Sequence, residues 1–204
     1  MKSIVTLLTA LLFSVQVQAA LVSVSGQGKI VSAKHIQEDS PTTGKKQKGF
    51  DEQQGVELTR DIEVDDGFIL EGTKVDSHII FFNSKDKKEK ESEAFWEFDG
   101  KILGVMSNSS GSLLMESNDL LAAFDNYFTK KGLVYPFDNL GMEGLDEYHV
   151  FAITGDTVLS VFMHVTEPGD WIRVITASAV PVPAAIWLFG SALFGLVGLR
   201  RKTK

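Results

Sequence analysis

Ser77-His78-Ile79-Ile80-Phe81-Phe82-Asn83 is the stretch on which the fold turns. His78 to Phe82 show no alternation between large apolar and small polar positions. Successive side chains of a strand point to opposite faces, so a run that is apolar at both parities predicts an interior strand covered on both sides. Upstream, Val56, Leu58, Arg60, Ile62 and Val64 alternate with Glu57, Thr59, Asp61, Glu63 and Asp65. That pattern predicts one half-buried strand with an acidic outer face, and Asp65-Asp66-Gly67 supplies a turn after it. Downstream, Ala94-Phe95-Trp96-Glu97-Phe98 runs into Asp99-Gly100, a hairpin-type signal, and Lys101 to Met106 returns.

Three further runs follow, Tyr148 to Ile153, Val158 to Val165 and Trp171 to Thr176. Gly155-Asp156 and Pro168-Gly169-Asp170 separate them. Strands at this spacing, with polar turns, predict an all-β fold: a single β-sandwich, jelly-roll-like. One helical piece is expected over Ser117 to Phe124, with Ser117 as its cap. His35 to Lys48 and Asn83 to Glu93 are rich in charge and read as solvated loops.

The 204 residues suit one domain flanked by short signals, and 44% hydrophobic content is that of a globular chain. Charge is unevenly placed. All 27 acidic residues lie between Glu38 and Asp170. Of the 20 basic residues, Lys2, Arg200, Arg201, Lys202 and Lys204 sit at the ends, which leaves 15 against 27 and a balance of −12 in the middle. Such a domain is repelled by phosphate backbones, so no nucleic acid partner is expected. There is no cysteine, which removes disulfides, thiolate catalysis and cysteine metal sites together.

The two ends carry the clearest signals. Met1-Lys2-Ser3 is a short basic start, and Ile4 to Val15 is an apolar run. Val17-Gln18-Ala19 then places small or aliphatic residues at −3 and −1 of a cleavage before Ala20, as a signal peptidase requires. At the back, Val180-Pro181-Val182-Pro183 precedes sixteen apolar or small residues, Ala184 to Leu199, and then Arg200-Arg201-Lys202-Thr203-Lys204. Prolines end whatever element precedes them, and Pro183 fits a first helical turn. Sixteen helical residues span about 24 Å, close to a hydrocarbon core of about 30 Å once the flanking residues and snorkelling arginines are counted. The terminal basic cluster holds that end in the cytoplasm, which leaves the domain outside. Three segments result: a signal peptide over 1–19, an extracytoplasmic β-sandwich over 20–178, and a membrane tail over 179–204.

The order of parts in Val180-Pro181-Val182-Pro183-Ala184-Ala185-Ile186-Trp187-Leu188-Phe189-Gly190-Ser191, closed by Arg200-Arg201-Lys202, resembles the PEP-CTERM sorting tail. The resemblance covers about 25 residues. It implies recognition by an exosortase-type membrane protease, a precursor tethered transiently to the inner membrane with its domain in the periplasm, and delivery to the cell surface or extracellular matrix. Such proteins occur in Gram-negative bacteria that make exopolysaccharide. Val182 stands where that family usually has glutamate, so a mechanism needing that carboxylate does not carry over. The middle is also similar to the ectodomain of a group of PEP-CTERM proteins, in Gly49 to Gln54, Ser77 to Asn83, Phe98 to Val105 and Glu167 to Val174. That similarity implies a β fold and transfers no catalytic residue.

Searches for chemistry give little. His35, His78, His149 and His164 form no metal pair, and no nucleophile elbow or phosphate loop is present. No catalytic residue is assigned and no cofactor is expected. Calcium, which takes carboxylate and carbonyl oxygens from loops, has candidates in Asp51 with Glu52, in Asp65 with Asp66, and in Asp138, Glu143, Asp146 and Glu147. Tyr127, Tyr135, Phe137 and Tyr148 could stack on sugar rings if exposed. The expected function is that of a non-catalytic surface or matrix protein associated with exopolysaccharide or biofilm. The alternatives are a carbohydrate-binding module, calcium-dependent in one form, a self-associating matrix component, and a polysaccharide-acting enzyme with two carboxylates at a set separation.

Overall fold

The computed structural model describes residues 20–32, 36–37, 45–83, 89–122, 127–128, 144–145, 150–165 and 169–178. All of them fall within the compact unit 18–179. The signal residues Val17 and Ala19, and the whole tail from 179, lie outside the described residues. Among the described residues no helix is long and apolar enough to cross a membrane.

Two sheets face each other. The first has four antiparallel strands in the order β1 (Leu21–Gly26), β8 (Lys90–Phe98), β12 (Val158–Val165) and β11 (Val150–Thr154). The second has five, in the order β2 (Gly28–Ile30), β4 (Gln47–Glu57), β7 (Lys74–Phe82), β13 (Asp170–Ala177) and β9 (Ile102–Met106). Only β2 runs parallel to its neighbour in this sheet. Two small pairs complete the set: the hairpin β5 (Ile62–Val64) with β6 (Gly67–Ile69), and the parallel pair β3 (Ile36–Gln37) with β10 (Tyr127–Phe128). One helix is present, α1 (Ser112–Leu121).

Both faces of the five-stranded sheet are covered, and the interior strand predicted at 78–82 is its middle member. Ile80, Phe82, Ile172 and Val174 face the first sheet, where Trp96, Leu159, Val161 and Met163 meet them. Ile79, Phe81, Trp171 and Ile175 face the other way, toward Ile62, Val64, Leu114 and Leu121 of the hairpin and the helix. Burying a large apolar side chain contributes roughly 1.5–3 kcal/mol, so two apolar layers are why β7 and β13 have no exposed polar face and bury polar members such as His78, Arg173 and Thr176 with hydrogen-bond partners. The Trp96 indole is seated on a glycine of the opposite sheet. A Cβ at Gly49 would lie 2.6 Å from the indole ring.

Five expectations need correction. Residues 35–48, expected as a solvated loop, hold β3 at Ile36–Gln37 and open β4 at Gln47, whose side chain is fully buried because its amide bonds to the facing sheet. Val56 to Asp65 is not one strand. β4 stops at Glu57, the chain bends at Thr59 and Arg60, and β5 resumes at Ile62. Leu58, Ile62 and Val64 are nevertheless buried, because the hairpin folds back over the outer face of the sheet that β4 belongs to. Asp99-Gly100 makes no hairpin. It carries the chain from β8 in one sheet to β9 in the other, where β9 pairs with β13. β8 pairs with β12 over eight residues instead, so longer ladders outcompete the local return. Helix α1 starts at Ser112 behind Gly111, whose φ of 65° ends the preceding turn. Ser117 lies inside the helix with its hydroxyl donated back to Leu113 O and Leu114 O, not at its start. Residues 90–93, expected in a loop, open β8, because Glu91 and Glu93 alternate with the buried Ser92 and Ala94. The two facing sheets meet the expectation of an all-β sandwich.

Candidate functional site

Among the described residues no element packs on the outer face of the four-stranded sheet. Its rows follow from the register. Glu97 lies beside Val158 and Ser23, with Thr154 beyond; Phe95 beside Ser160 and Ser25, with Ala152 beyond; Glu93 beside Phe162, with Val150 beyond; and Glu91 beside His164. Adjacent strands are about 4.8 Å apart, so Phe95 and Phe162 are diagonal neighbours and Val150 is directly opposite Phe162. These three residues form an apolar diagonal across three strands. Phe95 is 44% exposed and Val150 67%, while Phe162 is half-buried. Glu91, Glu93 and Glu97 flank the diagonal. Ser23 Oγ donates to Glu97 at 2.7 Å, and His164 Nε2 stands 3.6 Å from Glu89. Polar rows around an exposed aromatic diagonal suit a ligand that has apolar faces and hydroxyl rims.

The buried polar groups do other work. Arg173 donates through Nε and NH2 to the two Glu52 oxygens at 2.8 and 2.9 Å. Its remaining N–H groups reach Leu114 O, Ser117 Oγ and Asn118 Oδ1. All five donors of the guanidinium are thereby used, and α1 is tied to β4 and β13. Gln47 links the sheets: Oε1 accepts from Trp96 Nε1 at 2.9 Å, and Nε2 donates to Ser92 O and Val161 O. His78 sits between Asp51 Oδ1 at 2.8 Å and Thr176 Oγ1 at 3.0 Å, with Phe98 against its ring. A carboxylate, an imidazole and a hydroxyl in a row have the order of a nucleophilic triad. Here His78 and Thr176 are fully buried, so the row joins three strands and offers no hydroxyl to a substrate.

The calcium candidates among the described residues do not converge. Asp51 and Glu52 point to opposite faces of β4, one toward His78 and the other toward Arg173. Asp65 accepts from the backbone N–H and the hydroxyl of Ser107, at 3.0 and 2.6 Å. Asp66 is exposed in the turn beside it. Among the described residues no three His, Asp or Glu side chains are grouped to hold a metal. Asp138, Glu143, Asp146 and Glu147 lie outside the described residues, as do Tyr135, Phe137, Tyr148, His35 and His149. Tyr127 belongs to β10.

A small hollow open to solvent, of about 60 Å³, lies between β5 and α1 and is lined by Arg60, Glu63, Leu113 and Glu116. Its cation is engaged: Arg60 forms a two-point bond to Asp119 at 2.6 and 2.7 Å. That bond holds the Asp119 carboxyl below its usual range and the guanidinium above its own.

Phe95 and Phe162 escaped the sequence reading as a site. The signal was there, since Phe95 interrupts a row of outward glutamates, Glu91, Glu93 and Glu97. The neighbour from β12 was not legible, because that pairing is set by a partner some 65 residues away.

Residues 179–202 match the PEP-CTERM protein-sorting motif. The match spans Val180 to Pro183 and Arg200 to Lys202. The motif implies recognition by an exosortase membrane protease and a membrane-anchored precursor processed for export to the cell surface. No curated protein and no solved structure matches the chain.

Proposed function

We propose that the chain is a non-catalytic surface or extracellular-matrix protein that binds exopolysaccharide through the outer face of its four-stranded sheet. The observation that carries the reading is the diagonal Phe95–Phe162–Val150 between rows of glutamate and serine. The apolar C–H face of a sugar ring packs on phenylalanine, and its rim hydroxyls donate to carboxylates such as Glu91 and Glu93. Three glutamates and no lysine or arginine in these rows disfavour polyanionic polymers by repulsion. Neutral or amino-bearing polysaccharide is therefore the preferred class. The sorting motif supports the reading by bringing the protein to the compartment where such polymers are found.

The test is retention of the processed protein in gels containing polysaccharide from the producing strain. With Phe95→Ala and Phe162→Ala combined, retention should fall about thirty-fold, on the order of 1 kcal/mol per ring. Unchanged retention in a folded double variant would remove the outer face from the function. Concentration-dependent oligomers without any polysaccharide retention would replace this reading with self-association.

A further inference from the structure

Ala20 becomes the first residue if the chain is cut after Ala19, and its backbone nitrogen donates to Asp99 Oδ1 at 2.5 Å. Its carbonyl accepts from the Asp99 N–H at 3.2 Å. One aspartate 79 positions away therefore grips both polar groups of this residue. The next nitrogen, of Leu21, donates to Asp51 Oδ1 at 2.9 Å, and Asp51 is itself bonded to buried His78. The Leu21 side chain is buried in the core between the sheets. Among the described residues no Lys, Arg or His side chain forms an ion pair with Asp99.

We propose that Asp99, supported by Asp51, is a binding site for the α-ammonium group that signal-peptide cleavage creates at Ala20. The proposal rests on reading Val17-Gln18-Ala19 as the cleavage signal. Hydrolysis breaks the Ala19–Ala20 C–N bond. The carbonyl of Ala19 takes the water oxygen and becomes a carboxylate, and Ala20 N becomes –NH3⁺. Before the cut, Asp99 receives a neutral amide N–H; after it, a charged donor on the same atom. Charge-assisted hydrogen bonds are roughly twice as strong as neutral ones. Processing thus seals the free end of β1 against β8, and only the cut chain acquires the full contact.

The test uses full-length protein recovered from cells in detergent. One form is the processed chain and the other is an uncut chain carrying Ala19→Arg, since signal peptidase admits only small residues there. Each is made with Asp99 and with Asp99→Asn. The Asp99→Asn change should lower the unfolding temperature of the processed chain by about 2–4 °C more than that of the uncut chain. A second readout needs processed chains alone. At pH 7 the α-amine should be acylated several-fold faster in D99N, roughly 3–10-fold, because Asp99 holds it as the unreactive ammonium. Asp99→Glu should keep the slow rate. Equal shifts and equal acylation rates would overturn the ammonium site and leave the cleavage reading intact. A native protein whose first residue is not Ala20 would overturn the cleavage reading, and the proposal with it.

Discussion

Arg173 Nε lies 2.8 Å from Glu52 Oε2, and neither side chain has any exposed surface. The two residues are 121 positions apart and sit on strands separated by β7. Their bond crosses the face of the sheet beneath α1, and the same guanidinium binds three acceptors of the helix. Arg173→Met leaves the Glu52 carboxylate buried without its counter-charge, held by the Ser77 hydroxyl at 2.7 Å, and removes the guanidinium's three bonds to the helix. A loss of about 3–5 kcal/mol is expected, read as a lower midpoint in urea unfolding. Adding Glu52→Leu should recover part of that loss, since no charge is then stranded. A single Arg173→Met variant as stable as wild type would mean that the helix is held by its apolar face alone.

Gln47 serves three partners on the first sheet with one amide. Gln47→Leu is close in volume and leaves Trp96 Nε1, Ser92 O and Val161 O without their bonds. Each buried orphan costs about 1–3 kcal/mol, with some relief from water entry, so a net loss of roughly 2–4 kcal/mol is expected. Tryptophan fluorescence of the folded state should shift at the same time, which separates loss of the indole bond from a general loss of stability.

Gly49 tests the seat of the same indole from the other side. The nearest atoms to an added Cβ belong to a rigid, fully buried ring at 2.6 to 3.2 Å. Overpacking of this kind typically costs about 1–3 kcal/mol, so Gly49→Ala should lower the thermal midpoint. Gly67→Ala separates space from backbone: nothing lies within 4 Å of a Cβ there, so any loss at that position comes from its φ of 137°, which side-chain-bearing residues rarely adopt.

The Arg60–Asp119 bond gives a pH dependence with a definite sign. The hydrogen bond from Arg60 is the main reason the Asp119 carboxyl is lowered, followed by the guanidinium charge. A carboxyl lowered in the folded state adds stability above its unfolded pKa and loses it as pH falls through the folded value. The window is therefore acidic, below about pH 4. Asp119 is 64% exposed, and solvent screening keeps the effect under about 1 kcal/mol. Thermal melts at pH 6 and pH 3 should differ slightly less in Asp119→Asn than in wild type.

The sorting tail predicts a processing defect without a folding defect. Replacing Pro181 and Pro183 with alanine should leave the precursor in the membrane fraction, with the sandwich unfolding at its usual temperature. Intact mass is the readout. Wild type should yield a surface species beginning at Ala20 and ending near Pro181. A double variant that is released like wild type would make the proline pair incidental.

Legibility followed the range of the signal. β12 and β13 were read from their own residues to within one or two positions, because burial alternation and glycine turns are local. The break between Leu58 and Ile62 was missed, since a bent chain and a straight strand can bury the same alternate residues. The helix was found but placed five residues late. Asn108 binds the Leu113 N–H from before the helix, a contact that no cap rule at Ser117 anticipates.

By itself the sequence determined the strands at 78–82, 94–98, 102–106, 158–165 and 171–176, that 78–82 is interior, that the middle of the chain is acidic and lacks cysteine, and how the tail is organised. Each is a property of neighbouring residues: parity, composition or motif order. Only the tertiary structure decided that Asp99-Gly100 crosses between sheets, that Arg173 is buried against Glu52, and that Phe95 and Phe162 share one open face. Strand partners are chosen by the longest ladder and the best-filled core. Both are sums over contacts far apart in the chain, which no local pattern contains.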